Sequence, residues 1–327
     1  MKCQTVDHIL LKKTFSPINL RSLVEDYILS CRCESKSAAT IANYQYRLAS
    51  FIWFCQASGF PDEPGKITTT HIRQFLWYLA SEPNRWGGSS TSAKKPASGA
   101  TVNHYYRVLN SFFNWLEREG LISENPLTRI KTPKFENKII KALTSKEVKT
   151  LLSQRSAKTA LNVRNRAILM MMLDTGIRVS ELVHLNLNDV DMKTGSVMVT
   201  HGKGGKQRIV RIGFKTQKAL WRYVKIWRSG DSEKLFLNRS GDSLDVRGVT
   251  LMIRRIGKKA GVNGVHVHRL RHTFTISFLR AGGDVFSLQY LLGHSTLQMT
   301  QRYLQSLNAD DAMNAHRRFS PMDNLKV

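Results

Sequence analysis

Cysteine is scarce in this chain of 327 residues. There are four, Cys3, Cys31, Cys33 and Cys55, all within the first 55 positions. None has C-x-x-C spacing, so the usual zinc-ligand pattern is missing. So few cysteines over this length also exclude a disulfide-stapled secreted scaffold. No apolar run approaches the ~18–20 residues of a membrane span. The opening residues MKCQTVDHILLKKTF set Asp7 and His8 where a secretion signal would be apolar. The expectation is a cytoplasmic protein with no membrane partner. The phosphate-cradling G-x-x-x-x-G-K-[ST] loop is missing too, because Lys206 is followed by Gln207, and nothing calls for a nucleotide.

The scarcity that matters most is of acidic side chains. There are 24 Asp and Glu against 50 Lys and Arg, a formal net charge of +26. Residues 1–141 carry +8 of this and residues 142–327 carry +18. One charged run would be an ordinary solvated face, but an excess sustained over both halves favours a polyanion, above all nucleic acid. The length exceeds what one hydrophobic core usually supports, so two domains are expected.

Periodicity divides the chain. Residues 1–16 have little pattern and form an arm. Residues 17–122 show four helical stripes: Leu20, Leu23, Val24, Tyr27 and Ile28; Ile41, Tyr44, Leu48, Phe51 and Cys55; Ile72, Phe75, Leu76 and Leu79; Val102, Tyr105, Leu109, Phe112 and Leu116. A Gly, Ser and Pro-rich loop over 82–99 interrupts them, and Gly120 stops the last helix. This predicts an all-α first domain. Residues 123–143, SENPLTRIKTPKFENKIIKAL, have two prolines, five basic side chains and no amphipathic period, and read as a semi-extended linker. From 144 to 327 helices are predicted at 145–153, 162–174, 178–186, 214–228, 246–260, 269–281, 285–292 and 296–305. SVMVT (196–200) and QRIVRI (207–212) flank HGKGGK as a hairpin. The fold class is mainly α, with a small antiparallel sheet in the second domain.

Four short segments of that domain concentrate polar chemistry. In TGIRVSEL, Arg178 lies among residues that should be packed and needs an anionic partner. Glu181, three positions on, can orient it, although a plain structural pair would look the same. In HGKGGKQR, Lys203, Lys206 and Arg208 sit on a glycine-bearing hairpin, able to meet a phosphate but also consistent with a charged turn. HVHRLRHTF holds His268, Arg271 and His272. The i, i+4 histidines could suggest a metal, but Arg271 would set a positive charge beside it and no third ligand is evident, so an anion fits better and no metal is expected. In LLGHSTLQMTQRYL, Gly293 ends a helix, His294 sits in the break, and Tyr303 follows nine residues later. A lone tyrosine is ordinarily an amphipathic anchor. Beside two arginines, a lysine and two histidines it becomes a candidate nucleophile, since a phenol can attack a phosphodiester if the developing charge is clamped.

With these segments in this order, the sequence resembles the tyrosine recombinases of the phage-integrase and Xer type. TGIRVSEL matches the family's first-arginine box at Arg178, with Glu181 at its buttressing acidic position. HGKGGKQR resembles the hairpin that bears the family's lysine, here Lys203. HRLRH matches the H-x-x-R box at His268 and Arg271. LLGHS supplies His294, and the step to Tyr303 matches the nucleophile. The resemblance implies a SAM-like core-binding domain of four helices followed by an α+β catalytic domain, in a simple two-domain, Xer-like arrangement. It implies cleavage and rejoining of double-stranded DNA through a 3′-phosphotyrosyl bond, without metal, ATP or other cofactor, by a homotetramer acting on two duplexes with inverted-repeat half-sites. It implies that Arg178 and Arg271 clamp the phosphate, Lys203 protonates the leaving 5′-oxygen, His268 is base or orienter, and His294 donates to the phosphate. Asn43 and Arg47 on the second helix, and Asn103 and Arg107 on the fourth, become candidate DNA contacts, with Lys206 and Arg208. Two rivals share part of this: a type IB topoisomerase, and an inactive DNA-binding accessory protein. The Xer-like boxes argue against the first and the full residue set against the second.

Overall fold

The computed structural model describes residues 19–86, 95–135, 140–153, 159–200, 207–304, 307, 309–320 and 322–323. The expected arm over 1–16, part of the 82–99 loop, Lys203 and Lys206 lie outside the described residues. The chain separates into two units, Met1–Lys138 and Ile139–Val327.

The first unit is built from α1 (Leu20–Cys33), α2 (Ala38–Ala57), α3 (Thr69–Ser81) and α4 (Gly99–Arg118). Each starts at a side chain that takes up free amide donors: Asn19, Ser37, Thr68 and Ser98. The predicted stripes meet in an aromatic core, with Phe51, Phe75, Phe112 and Phe113 at or below 1% exposure. Edge-on ring contacts such as Phe51–Phe75, 5.1 Å between centroids, order it.

α4 is buried over more of its circumference than one stripe predicts, taking in Asn103, Tyr106, Val108 and Trp115. The segment after Gly120 is responsible. Ile122 and Leu127 enter the core, Tyr106 donates to the Ile130 carbonyl, and Asn103 Nδ2 donates to the Pro133 carbonyl at 2.8 Å. Asn125, fully buried, donates to the side-chain oxygens of Asn110 and Asn114 and accepts from the Leu127 amide. The first part of the expected linker is thus docked on its own unit. Two apolar anchors, with an asparagine to satisfy the backbone between them, suffice without any helical period.

The second unit contains α5 (Ser145–Ser153), α6 (Ala160–Thr175), α7 (Val179–His184), β1 (Ser196–Val199), β2 (Arg208–Arg211), α8 (Phe214–Arg222), α9 (Val246–Lys259), α10 (Val267–Arg280), α11 (Val285–Leu292), α12 (Leu297–Leu304) and α13 (Ala309–Phe319). A single π-turn over Tyr223–Trp227 prolongs α8. α6, with Ala167, Ile168 and Met171 fully buried, lies at the centre and packs on α10, α8 and β2. β1 and β2 form the antiparallel hairpin, with Ser196 opposite Arg211 and Val199 opposite Arg208. Val210 and Ile212 face the core and set the phase of the strand. A strand's side chains alternate, so Arg208 is carried inward with them and Ile209 is left 48% exposed. No helix among the described residues is long and apolar enough to cross a membrane.

Candidate functional site

Helix ends build the site. α6 stops at Gly176, whose φ of +61° is left-handed. A Cβ there would lie 2.4 Å from Phe274, so glycine is required twice over. Arg178 then opens α7, and its own amide donates to Glu181 Oε2 at 2.8 Å. α11 ends at Gly293, also left-handed, against which the Arg208 guanidinium packs. α10 contributes Arg271, buried at 5% exposure.

Two guanidiniums share one carboxylate, and a third, Arg271, stands beside them without one. Glu181 accepts from Arg178 Nη1 at 2.9 Å and from Arg208 Nη1 and Nη2 at 3.0 and 2.8 Å. Burial pushes the Glu181 carboxyl up, but the Arg208 and Arg178 hydrogen bonds outweigh it and hold it below its ordinary value. The remaining donors go to backbone carbonyls left free at helix ends. Arg208 Nε donates to Leu291 O at 2.7 Å, Arg271 Nη2 to Leu292 O at 2.7 Å, and Arg178 Nη2 to Gly293 O at 3.4 Å. Arg271 Nη1 reaches Gly176 O, at the end of α6, at 2.7 Å. Helix C-termini carry partial negative charge, so they can hold cations without neutralising them. Burial, then the charge of Arg178, pushes Arg271 down to about 10, still cationic at neutral pH.

His294 joins this group. Its Nε2 lies 3.0 Å from Arg271 Nη2 and its Nδ1 lies 2.8 Å from the hydroxyl of Thr300, which is fully buried. A guanidinium only donates, so Nε2 accepts and the proton sits on Nδ1. Burial, with the charges of Arg271, Arg178 and Arg208, lowers His294 to about 4, so it is neutral. Tyr303, on α12, stacks on His294 with centroids 6.0 Å apart and planes within 5°. It also stacks on His272 at 5.4 Å. His268 lies one helical turn before Arg271, at the exposed edge. Partial desolvation, then the charges of His266, Arg271 and Arg178, push its imidazole down. Among the described residues no cluster of three or more potential metal ligands occurs.

Arg178, Glu181, Arg271, His294 and Tyr303 therefore converge, from segments 115 residues apart at the extreme contact. Two expectations need correction. Arg208, expected to face DNA, is 5% exposed and fully engaged by Glu181 and Leu291. Asn103, expected on a polar surface, is 5% exposed and tied to Pro133. Arg107 and Asn43 are exposed, and Arg47 is half-buried, hydrogen-bonded to Asn43 at 2.8 Å with its guanidinium over the Tyr105 ring. Thr300 has no signal in the sequence, and His272 is visible there only as half of a metal pair that the site does not form. The signal available for a role near Tyr303 is the third histidine of HVHRLRHTF.

Residues 141–310 match the phage integrase family, and residues 23–122 match the phage integrase N-terminal SAM-like domain. Tyrosine recombinase XerC of Bacillus licheniformis is 38% identical over 278 residues, covering 82% of this chain and 86% of that protein. Tyrosine recombinase XerC of Bacillus pumilus is 34% identical, covering 87% and 92% respectively. In fold, the chain is similar to the Tn1549 transposon integrase in complex with a circular intermediate DNA, with a TM-score of 0.72, 18% identity, and coverage of 92% of this chain and 99% of that one. It is also similar to a lambda integrase dimer bound to a core site, with a TM-score of 0.69, 20% identity, and coverage of 89% and 97%.

Proposed function

This chain belongs to the phage integrase family as a site-specific tyrosine recombinase, and from that premise we propose that Tyr303 is its nucleophile and that Arg178, Arg271, His268, His294 and Lys203 form its reaction centre. The observation that carries this reading is the charge imbalance around Tyr303. Of three buried or half-buried guanidiniums, Arg178 and Arg208 share the single Glu181 carboxylate, while Arg271 has only backbone carbonyls and the neutral His294 ring. Such a site has positive charge to spare for an anion, and electrostatic stabilisation is the main lever in phosphoryl transfer.

The Tyr303 hydroxyl attacks the scissile phosphate of duplex DNA. A phosphotyrosyl bond forms at the 3′ side and the bond to the 5′-oxygen breaks. Arg178, with 22% of its side chain exposed, and Arg271 hold the non-bridging oxygens. Neutral His268 takes the phenolic proton or orients the ring. Lys203 gives a proton to the leaving 5′-oxygen. His294 can donate to the phosphate through Nε2 only after releasing Arg271 and moving its proton from Nδ1, so the Arg271–His294 bond is exchanged as phosphate enters. One phosphoester replaces another, so the energy of the bond is kept for rejoining. The helical first unit (17–122) clamps the duplex, with Asn43, Arg47 and Arg107 on its exposed faces, and residues 144–327 perform the chemistry. Four protomers act on two duplexes with inverted half-sites, in the cytoplasm where the DNA is.

The test uses a nicked suicide duplex whose half-sites are recovered by selection from random DNA. Wild-type protein forms an adduct that survives denaturing electrophoresis. Tyr303→Phe binds the duplex and forms none. An adduct with the Phe variant would remove Tyr303 from this role. Strand exchange between two duplexes, absent in a topoisomerase, is the second readout.

A further inference from the structure

α10 has two working faces. One carries His268 and Arg271. Arg269 and Thr273 lie on the other, His272 lies between the two, one turn on from His268, and all three adjoin the segment that leads into α5. Arg269 Nε donates to the Lys141 carbonyl at 2.9 Å, the Leu143 amide donates to the Thr273 hydroxyl at 2.9 Å, and the His272 ring faces the main chain of Ile140. His272 alone of the three also touches the reaction centre. Its ring stacks on Tyr303, tilted by 29°.

His272 is 6% exposed, and its Nε2 has no hydrogen-bond partner. Buried polar atoms nearly always have one, so an orphan calls for a reason. Packing alone would be served better by leucine or phenylalanine, which leave no polar atom stranded. Holding Ile140 alone would be served by asparagine. A histidine of this size does both, with a polar ring edge toward the Ile140 main chain and a flat face toward the phenol. Burial, against the opposing pull of the Ile140 main chain and with a smaller push from the charge of Arg269, holds the imidazole below its ordinary value, so it adds no cation beside Tyr303.

We propose that His272 is a positioning residue for the nucleophile: its ring, buried between the Ile140 main chain and Tyr303, presents the face that sets the plane of Tyr303. It acts through Tyr303 and takes no part in phosphate binding. The proposal rests on Tyr303 being the nucleophile.

Three full-length variants separate the two contacts. His272→Asn keeps a donor for Ile140 and removes the ring, His272→Phe keeps a ring and removes the donor, and His272→Leu removes both. On the selected suicide duplex, equilibrium binding should stay within about twofold of wild type. Adduct formation should slow about tenfold for Asn and for Phe and about a hundredfold for Leu, the scale on which misplacing a reacting group by an ångström acts. In tyrosine-labelled protein, the Tyr303 ring resonances should shift in Asn and Leu, which lose the neighbouring ring current, and shift less in Phe. The proposal is overturned if Asn and Phe form adduct at the wild-type rate. It is equally overturned if rate falls only in step with melting temperature and DNA binding while the Tyr303 resonances stay put. An inert Tyr303→Phe beside fully active His272 variants defeats this proposal alone, whereas an active Tyr303→Phe defeats the nucleophile assignment.

Discussion

Two polar clusters in this protein look alike in sequence and behave oppositely in structure. On α4, Asn103, Asn110 and Asn114 meet the docked 122–133 segment, and Asn125 ties two of them together. Donors and acceptors there are neutral and close on one another. In the second unit, Arg178, Arg208 and Arg271 meet one Glu181 and a set of helix-end carbonyls. Hydrogen bonds are satisfied there as well, but charge is not. A cluster that closes both accounts holds a chain together. One that satisfies its hydrogen bonds and leaves positive charge is organised for an anion.

The comparison breaks most sharply at the arginines. Arg178→Ala and Arg271→Ala should each lower single-turnover adduct formation by about a thousandfold or more, with a far smaller effect on duplex binding. Near-wild-type cleavage by either would mean that the surplus charge serves something else. The next largest effect is on stability. Glu181→Gln leaves the buried Arg208 and the half-buried Arg178 without a countercharge and should cost about 3–5 kcal/mol, or roughly 10 °C in the melting of the second unit. An unchanged melting profile would show that the carbonyls alone hold the arginines. In the neutral cluster, Asn125→Ala should cost about 1–3 kcal/mol by stranding its partners, while cleavage per folded molecule stays the same. A selective loss of cleavage would erase the distinction between the clusters.

Acid should sharpen the same contrast by a smaller margin. His294 is lowered to about 4 from an ordinary value of 6.5. Between those values the unfolded chain binds more protons than the native one, so stability is present above pH 6.5 and is lost as pH falls towards 4. Glu181, also held below its ordinary value, adds a loss in the same direction at lower pH. Thermal melting measured across this range should show a shallower pH slope in His294→Gln than in wild type. Parallel slopes would remove His294 as the source.

Several features could be read from local pattern because local pattern causes them. The stripe Val102, Tyr105, Leu109, Phe112 and Leu116 makes α4 a helix wherever it packs. Gly176 and Gly293 end helices because each supplies a left-handed residue. Asn103 misled because helix periodicity says which residues share a face, not what covers that face. The covering segment, anchored by Ile122 and Leu127, has no periodicity of its own. Arg208 misled for a related reason. Its inward orientation is dictated by Val210 and Ile212, and the carboxylate awaiting it is 27 residues away.

By itself, the sequence determined the helices, the hairpin, the excess of positive charge and the order of the boxes that end at Tyr303. Each depends on spacing within a few residues or on composition, which no packing can alter. The tertiary structure alone decided which arginine shares Glu181, which carbonyls hold Arg271, where the His294 proton sits, and which rings face Tyr303. Those pairings join helix ends that are distant in the chain, and they exist only once burial has brought the ends together and made an unpaired charge or polar atom costly.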